Sequence, residues 1–225
     1  MIRALILFTC FCLTTEYAYP QLGVSFQVGY STSNHQDLKK FQRNANAEIP
    51  VSKNDVNNFD PSSHLNFNLL YSINDHVISL YYLYKQTGAR SGSQDESGYY
   101  KLDQSLRYNV FGIGYQRNLK IVSLGVRLGF SKTTDQLEQE LKAYNTYLVN
   151  ESAEFIGSGV ELNPYARYYV RPEKLIRGFI ELGFILESSE KMTYNNQETI
   201  LNSNWSGLRI GAGIELFFPK PQKAE

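Results

Sequence analysis

The sequence feature that constrains the fold most is a strict alternation of apolar and polar residues. It is clearest in IVSLGVRLGFSK, residues 121–132, where every second residue from Val122 to Phe130 is apolar. A period of two places those side chains on one face of a β-strand and the remaining ones on the other. Arg127 stands in the middle of the second set. The arginine is therefore expected to point to the opposite side of the sheet from its apolar neighbours.

Eight segments of the chain alternate or nearly alternate in this way. They are Leu22 to Thr32, His64 to Ile73, Val77 to Gln86, Leu106 to Arg117, Ile121 to Lys132, Gly159 to Val170, Leu175 to Ser188 and Asn204 to Phe218. Most contain about ten residues or more, which exceeds a typical soluble strand and approaches the length that a tilted strand needs to cross a bilayer. The segments are predicted to be eight membrane-crossing strands.

The connections between these segments are short and long in strict alternation. Short ones span 74–76, 118–120 and 171–174, whereas long ones span about 33–63, 87–105, 133–158 and 189–203. In an antiparallel barrel every second connection lies at the same end. The pattern predicts an all-β, eight-stranded antiparallel transmembrane barrel with short periplasmic turns and long extracellular loops.

The last four strands carry their charges on the face opposite the apolar one. These residues are Arg127, Glu161, Arg167, Arg177, Glu181, Glu187, Arg209 and Glu215. A charge facing lipid at mid-membrane costs roughly 2 to 4 kcal/mol, and the interior of an eight-stranded barrel is only wide enough to be filled by side chains. We therefore predict a luminal network of arginine and glutamate that plugs the barrel. A soluble ligand-carrying barrel would have the reverse pattern, with an apolar interior.

Aromatic residues on the apolar parity are predicted to form two girdles at the membrane interfaces. They are Tyr30, Tyr84 and Phe130 near the long-loop rim, with Tyr71, Tyr115, Tyr168 and Phe218 near the short-turn rim. The fourth strand fits less well, because Arg107 and Arg117 share the parity of its apolar residues. Either the arginines lie at the rims or a bulge shifts the register.

The amino terminus is predicted to be a signal peptide, residues 1–18, with cleavage between 18 and 20. The barrel domain is expected to cover 21–218 and a short periplasmic tail 219–225. Cys10 and Cys12 lie within the apolar core of the signal, which does not favour a lipoprotein cysteine. The 22 basic and 22 acidic residues balance, so no nucleic-acid partner is indicated.

The last strand, GLRIGAGIELFF, alternates and closes on the aromatic Phe218. In this, and in its architecture from Leu22 to Phe218, the chain resembles small eight-stranded outer-membrane barrels of the outer-membrane protein A and X type. It is also similar to the outer-membrane barrel-domain proteins of Bacteroidetes-like bacteria. The resemblance implies export to the outer membrane of a Gram-negative cell, contact with its lipid and insertion by the barrel-assembly machinery.

Members of that family serve as anchors, adhesins, modest pores or, in a few cases, lipid-modifying enzymes, so the fold leaves the function open. We expect a monomer without cofactor that has a structural or surface-interaction role, in adhesion or envelope maintenance. Its extracellular ligand, bound through the long loops, is unknown. The alternatives are a small enzyme acting on membrane lipid and a narrow pore of low conductance.

No motif in the sequence predicts a catalytic or metal site. DPSSH, residues 60–64, contains an acid, a serine and a histidine, but consecutive residues entering a strand point in opposite directions. A lipid-modifying enzyme would need Ser63, His64 and an acid to converge. The three histidines and scattered acids show no metal-ligand spacing.

The long connection TTDQLEQELKAYNTYL, residues 133–148, permits two structures. Leu137, Leu141, Tyr144 and Leu148 lie on one helical stripe, and Asp135 and Glu138 suit a helix start. The stretch is either a short helix over the extracellular rim or an extension of the fifth and sixth strands.

Overall fold

The computed structural model describes residues 21–47, 59, 61–96, 98–143, 146–170 and 175–218. The predicted signal peptide, the carboxyl-terminal tail and the connection 171–174 lie outside these ranges. No helix in the ranges is both long and apolar enough to span a membrane.

Eight antiparallel strands form a closed ring. With a two-stranded hairpin, β8 and β9, and one helix they make up the regular structure of the described ranges. The elements are β1 (Gln21–Ser31), α1 (Gln36–Ala47), β2 (Ser62–Ile73), β3 (His76–Asp95), β4 (Gly98–Leu119), β5 (Val122–Ala143), β6 (Thr146–Val170), β7 (Ile176–Ser189), β8 (Thr193–Tyr194), β9 (Gln197–Glu198) and β10 (Gly207–Phe217). β10 pairs with both β7 and β1, which closes the barrel. The predicted eight-stranded barrel is confirmed.

Tight turns join the strands at one end of the barrel. Asn74 and Lys120 have positive φ values of 53° and 58°, a conformation that asparagine tolerates well and that two-residue hairpin turns require. Asn195 and Asn196, with φ values of 49° and 63°, make the corresponding turn between β8 and β9. The two short connections that the structure describes are therefore true hairpin turns.

At the other end, four neighbouring strands continue far beyond the rest. β3, β4, β5 and β6 have 20 to 25 residues, whereas the other barrel strands have 11 to 14. The difference corresponds to roughly 30 Å along the strands. The expected long loops 87–105 and 133–158 are thus mostly strand. Within the stretch 133–148, residues 133–143 extend β5 and residues 146–148 extend β6, while Tyr144 of the alternative helical stripe lies outside the described residues. We call this four-stranded projection the extracellular extension.

Strand β4 shows why its two arginines share the apolar parity. It pairs with β3 from Gly98 to Arg117 and with β5 from Gly98 to Leu119, each in one unbroken register without a bulge. Arg107 and Arg117 therefore both point outward, near opposite ends of the apolar stretch between them. Long cationic side chains at such rims can reach water.

The open end of the barrel is covered by a small apolar core. It comprises Leu38, Phe59, Tyr81, Leu83, Ala89, Leu106, Tyr108, Val110, Phe155, Met192, Leu201 and Trp205. Leu38 comes from α1, and Met192, Leu201 and Trp205 come from the segment before β10. We call α1, this segment and the inner face of the extension the cap. α1 has no counterpart among the elements predicted from the sequence.

Candidate functional site

The barrel wall separates two chemically different faces. On the outside, leucine, isoleucine, valine and phenylalanine side chains are about half exposed, as with Leu128, Leu182 and Ile214. Inside, all eight charged residues predicted for the lumen point inward, and all but the half-buried Glu187 are buried. An apolar outer belt around an ionic interior is the arrangement that a bilayer requires of a barrel.

Three arginines surround the carboxylate of Glu181 on β7. Arg127 from β5 binds it with both ends of its guanidinium, Nη1 to Oε1 at 2.9 Å and Nη2 to Oε2 at 2.7 Å. Arg167 Nε lies 2.7 Å from Oε2, and Arg209 Nη2 lies 2.9 Å from Oε1. Bidentate arginine pairs of this kind are the strongest charge-assisted hydrogen bonds in proteins. Glu181 therefore joins four strands.

Glu215 on β10 continues the same network towards the short-turn end. It accepts hydrogen bonds from Arg167 Nη1 and from Arg177 Nε, the latter at 2.8 Å. The hydroxyl of Tyr169 donates to it at 3.1 Å. We call these two glutamates and the four arginines around them the lower network: Arg127, Arg167, Arg177, Glu181, Arg209 and Glu215.

Small residues make space for these large side chains. A Cβ atom at Gly125 would collide with the ring of Tyr165. The Arg127 guanidinium carbon stands 3.9 Å from the centre of that ring, and the carbon of Arg177 stands 4.0 Å from that of Tyr169. Stacking on aromatic faces holds arginine side chains in place beyond their ion pairs. The glycine at position 125 of β5 thus leaves room for the Tyr165 ring.

The other two predicted luminal residues, Glu161 and Glu187, lie nearer the cap. Glu161 accepts a hydrogen bond from the hydroxyl of Tyr108 at 3.0 Å and lies 4.0 Å from Nζ of Lys85. Glu187 accepts the backbone N–H of Trp205 at 2.8 Å and the hydroxyl of Ser131 at 3.1 Å.

Lys85 is a buried luminal cation that the sequence analysis missed. Both parities of β3 are apolar around it, as in VISLYYLY, so alternation gave no signal. In the structure its ammonium group lies over the rings of Tyr108, at 4.7 Å, and Trp205, at 5.5 Å.

Trp205 connects the barrel to the cap. Its indole N–H donates to Thr133 Oγ1 at 3.1 Å, and its ring stacks on Tyr108 at 4.8 Å between centres. The ring of His35, just before α1, meets Trp205 edge-on at 4.7 Å. Burial, reinforced by Lys39 and Lys85, lowers the pKa of His35 to about 3, so this histidine is neutral in the closed cap.

Asp135 is a second buried titratable group in the cap. Its Oδ2 accepts a hydrogen bond from Gln104 Nε2 at 2.7 Å. Burial raises the pKa of this carboxyl group to about 7, although the bond from Gln104 opposes the shift.

The predicted girdle residues all point outward. Tyr30, Tyr71, Tyr115, Phe130, Tyr168 and Phe218 are 40 to 78% exposed, and Tyr84 is half-buried. Tyr115 is hydrogen-bonded to His76 at 2.7 Å, and the hydroxyl of Tyr84 donates to Gln86 at 2.8 Å.

Ser63 and His64 lie on opposite faces of β2. Ser63 is exposed outside, whereas His64 is 2% exposed and points inward. They do not converge in the way that the lipid-enzyme alternative needs. Within the described ranges, no group of three histidine, cysteine or acidic residues is placed to hold a metal ion.

The closed ring, the apolar belt and the buried ion pairs together decide the class of barrel. This is a small outer-membrane β-barrel. Similar solved structures include Ail, the attachment invasion locus protein of Yersinia pestis, in complex with the heparin analogue sucrose octasulfate. It is 11% identical, and the match covers 89% of this chain and 100% of Ail, with a TM-score of 0.45.

Neisserial surface protein A is a second similar structure. It is 13% identical, over 90% of this chain and 100% of its own, with a TM-score of 0.36. No protein-family model matches the outer-membrane barrel, and neither does any curated protein sequence. At these identities the likeness concerns the fold alone.

Proposed function

We propose that this outer-membrane barrel is a monomeric surface-binding protein with a closed lumen, inserted by the barrel-assembly machinery. The observation that carries the proposal is the extracellular extension. β3 to β6 remain paired beyond the apolar belt as one sheet, instead of separating into loops. A paired sheet presents a fixed surface to a partner at little further cost in conformational entropy.

Packing and side-chain contacts support the rigidity of this surface. Arg90 binds Asp103 on the neighbouring strand at 2.5 Å and 2.9 Å, and Lys101 reaches the same carboxylate at 2.9 Å. The hydroxyl of Tyr99 donates to Glu140 at 3.0 Å. Exposed pairs of this kind contribute little stability each. Here, however, they connect three strands of the extension whose inner face forms part of the cap.

We place the binding surface at the tip of the β5–β6 hairpin. Tyr147 and Leu148 are 56% and 62% exposed there. From Tyr147 to Phe155, β6 pairs with β5 on one side, and no strand of the described ranges pairs with its other edge. An open strand edge beside exposed apolar side chains suits a protein segment that binds in extended conformation.

Trimming the hairpin tests this proposal. Leu137 and Ala153 are cross-strand partners, so an Asn-Gly turn can replace residues 138–152 between them and keep the pairing below. Bacteria displaying the trimmed chain are expected to lose attachment to immobilised matrix proteins and to one another. Unchanged attachment would contradict the proposal, and increased envelope permeability instead would favour the envelope-maintenance role.

Point substitutions sharpen the same test. Leu148→Asp is expected to reduce attachment, because the charge replaces an exposed apolar contact at the tip. Ile200→Asp is the matched control: Ile200 is also an exposed aliphatic residue, 89% exposed, but it lies in the segment before β10. Equal losses from both variants would point to a general effect of added charge.

The narrow-pore alternative is tested separately. The buried side chains of the lower network and the cap support a closed lumen, so we expect the purified barrel to show no steady openings in planar bilayers. Large, steady conductance from the folded protein would overturn the closed lumen without bearing on the hairpin tip.

A further inference from the structure

A groove crosses the outer wall of the barrel in the extracellular half of the apolar belt. Its cavity measures about 600 Å³, and most of its exposed lining is apolar, with Ser63 and His64 as the polar exceptions. Five outward residues, one from each of five neighbouring strands, stand in one cross-strand row along it: Ile180, Ala212, Val28, Leu65 and Tyr84. The row extends roughly 19 Å around the wall, which is the scale of one acyl chain in a hydrocarbon core about 30 Å thick.

The groove exists because Ala212 is small. It lies between Ile210 and Ile214 on the outward face of β10, and its cross-strand partners are Ile180 and Val28. Each of these four neighbours is a larger aliphatic residue with about half of its surface exposed. A small side chain among larger apolar neighbours leaves a recess that a hydrocarbon chain can fill.

The same row ends in polar and basic residues. Beyond Tyr84 it continues through Asn109 to Lys132, and Arg107 stands in the adjacent row beside Gln86. Lys132 points outward directly above the exposed Phe130 of its strand, and Arg107 points outward two positions above the exposed Phe111 of its own, with Asn109 between them. The two cations therefore mark the boundary between the apolar belt and the polar extension.

These rim cations differ from the basic residues farther out. Arg90 and Lys101 are both bound to Asp103, whereas Arg107 and Lys132 make no ion pair with any acidic group of the described ranges. Their position at lipid headgroup depth gives them access to a negative charge supplied by the membrane.

From these features we infer a lipid-binding site on the outer wall. An anionic, phosphate-bearing lipid of the outer leaflet places its phosphate between Arg107 and Lys132 and one acyl chain in the groove over Ala212. The site is separate from the hairpin tip and does not depend on the proposed surface binding.

The test measures how much lipid stays bound to the barrel. The protein is reconstituted in phosphatidylcholine vesicles with either phosphatidic acid or the matching diacylglycerol, and lipid retained after extraction is counted by native mass spectrometry. Phosphatidic acid is expected to be retained and diacylglycerol lost. Equal retention of both would overturn the phosphate contact.

Variants test the two parts of the site. Arg107→Ala and Lys132→Ala are each expected to reduce retention about fivefold. Ala212→Phe fills the groove with an apolar, lipid-facing side chain that leaves the fold intact, and we expect a loss of about tenfold. Full retention by Ala212→Phe would overturn the acyl-chain part.

Arg117→Ala is the matched control. Arg117 lies on the same strand and face as Arg107 but at the opposite rim, so retention is expected to match that of the parent. A loss equal to that of Arg107→Ala would show general attraction to anionic lipid and overturn the site.

Discussion

The two halves of the barrel interior are lined by residues of opposite chemistry. In the membrane-embedded half, the lower network places four arginines and two glutamates that bind one another. In the extracellular half, the cap contributes an apolar core around Trp205 and Leu38. Lys85 lies near Glu161 and over the Trp205 ring, at the boundary between the two halves.

The difference follows from what surrounds each half. Where the wall faces lipid, apolar residues are used outside, and the charges that remain on the other parity must neutralise one another inside. Above the membrane the outer face of the extension meets water, so polar residues go outside and apolar ones inside, as in a soluble protein. The continuous strands β3 to β6 therefore have their apolar residues outside within the membrane and inside above it.

The largest loss of stability is expected when the positive charge of Arg127 is moved from the inner to the outer face of the barrel wall. The double change Arg127→Leu with Leu128→Arg removes the bidentate partner of Glu181 and exposes a cation to lipid, and should lower the free energy of unfolding by about 6 kcal/mol. Urea unfolding in vesicles, followed by the heat-modifiable gel mobility of the barrel, measures it. Arg127→Leu alone should have about half the effect. If both variants are as stable as the parent, the assignment of inside and outside is wrong.

The next largest effect concerns the shared carboxylate. Glu181→Gln leaves Arg127, Arg167 and Arg209 without their common counterion in a buried site, and should lower the free energy of unfolding by about 4 kcal/mol. The same urea titration applies. Glu154→Gln, at an exposed position on β6, is the control and should leave the midpoint unchanged; a similar shift in both would show that the network is not specifically stabilising.

A substitution in the cap should act only on the cap. Trp205→Ala removes a fully buried ring and its contacts to Tyr108 and His35, and should lower the free energy of cap opening by about 3 kcal/mol. Amide hydrogen exchange in α1 should then accelerate, while the urea midpoint of the barrel stays the same. Loss of the folded barrel itself would mean that the two halves are not independent.

The smallest effect is a pH dependence of cap opening with two opposing parts. The raised pKa of Asp135, about 7 against 3.8, makes its contribution fall as the pH rises from about 4 to about 7. The lowered pKa of His35, about 3 against 6.5, makes its contribution fall as the pH drops below about 6.5. Each slope approaches about 1.4 kcal/mol per pH unit, so cap stability should be nearly flat between about pH 4 and 6.5.

Single variants separate these two slopes. Asp135→Asn should leave a cap that becomes more stable as the pH rises, and His35→Gln one that becomes less stable. Hydrogen exchange of α1 across this pH range, corrected for intrinsic exchange, provides the measurement. Identical profiles for Asp135→Asn and the parent would show that Asp135 is already ionised in the closed cap.

The sequence predicted the membrane-embedded half well because alternation and charge agree there. The arginines and glutamates that were assigned to the lumen lie on β5, β6, β7 and β10. All of them, including Arg127, point inward. Parity is a local property, so no tertiary information was needed. In β3 it was ambiguous, because Tyr81 and Leu83 belong to the apolar core that begins at the same depth as Lys85.

The extracellular half was harder to predict for physical reasons. Residues 87–105 are rich in glycine, serine and glutamine, a composition typical of loops, and become strands only because β4 pairs with a neighbour on each side. Of the α1 side chains that the structure describes, Leu38 and Phe41 are the ones that pack on the apolar core, too few to reveal a helical period.

The shared carboxylate of Glu181 also has a consequence for the order of assembly. Arg127 and Arg167 are synthesised before Glu181, and Arg209 and Glu215 arrive only with the final strand. An intermediate without β10 therefore holds Arg127, Arg167 and Arg177 against a single inward carboxylate of the lower network. In such an intermediate Arg177 has no carboxylate of the lower network to bind, and the last strand supplies its partner Glu215 together with Arg209. Completion of the ring and the pairing of its last buried arginine are thus one event.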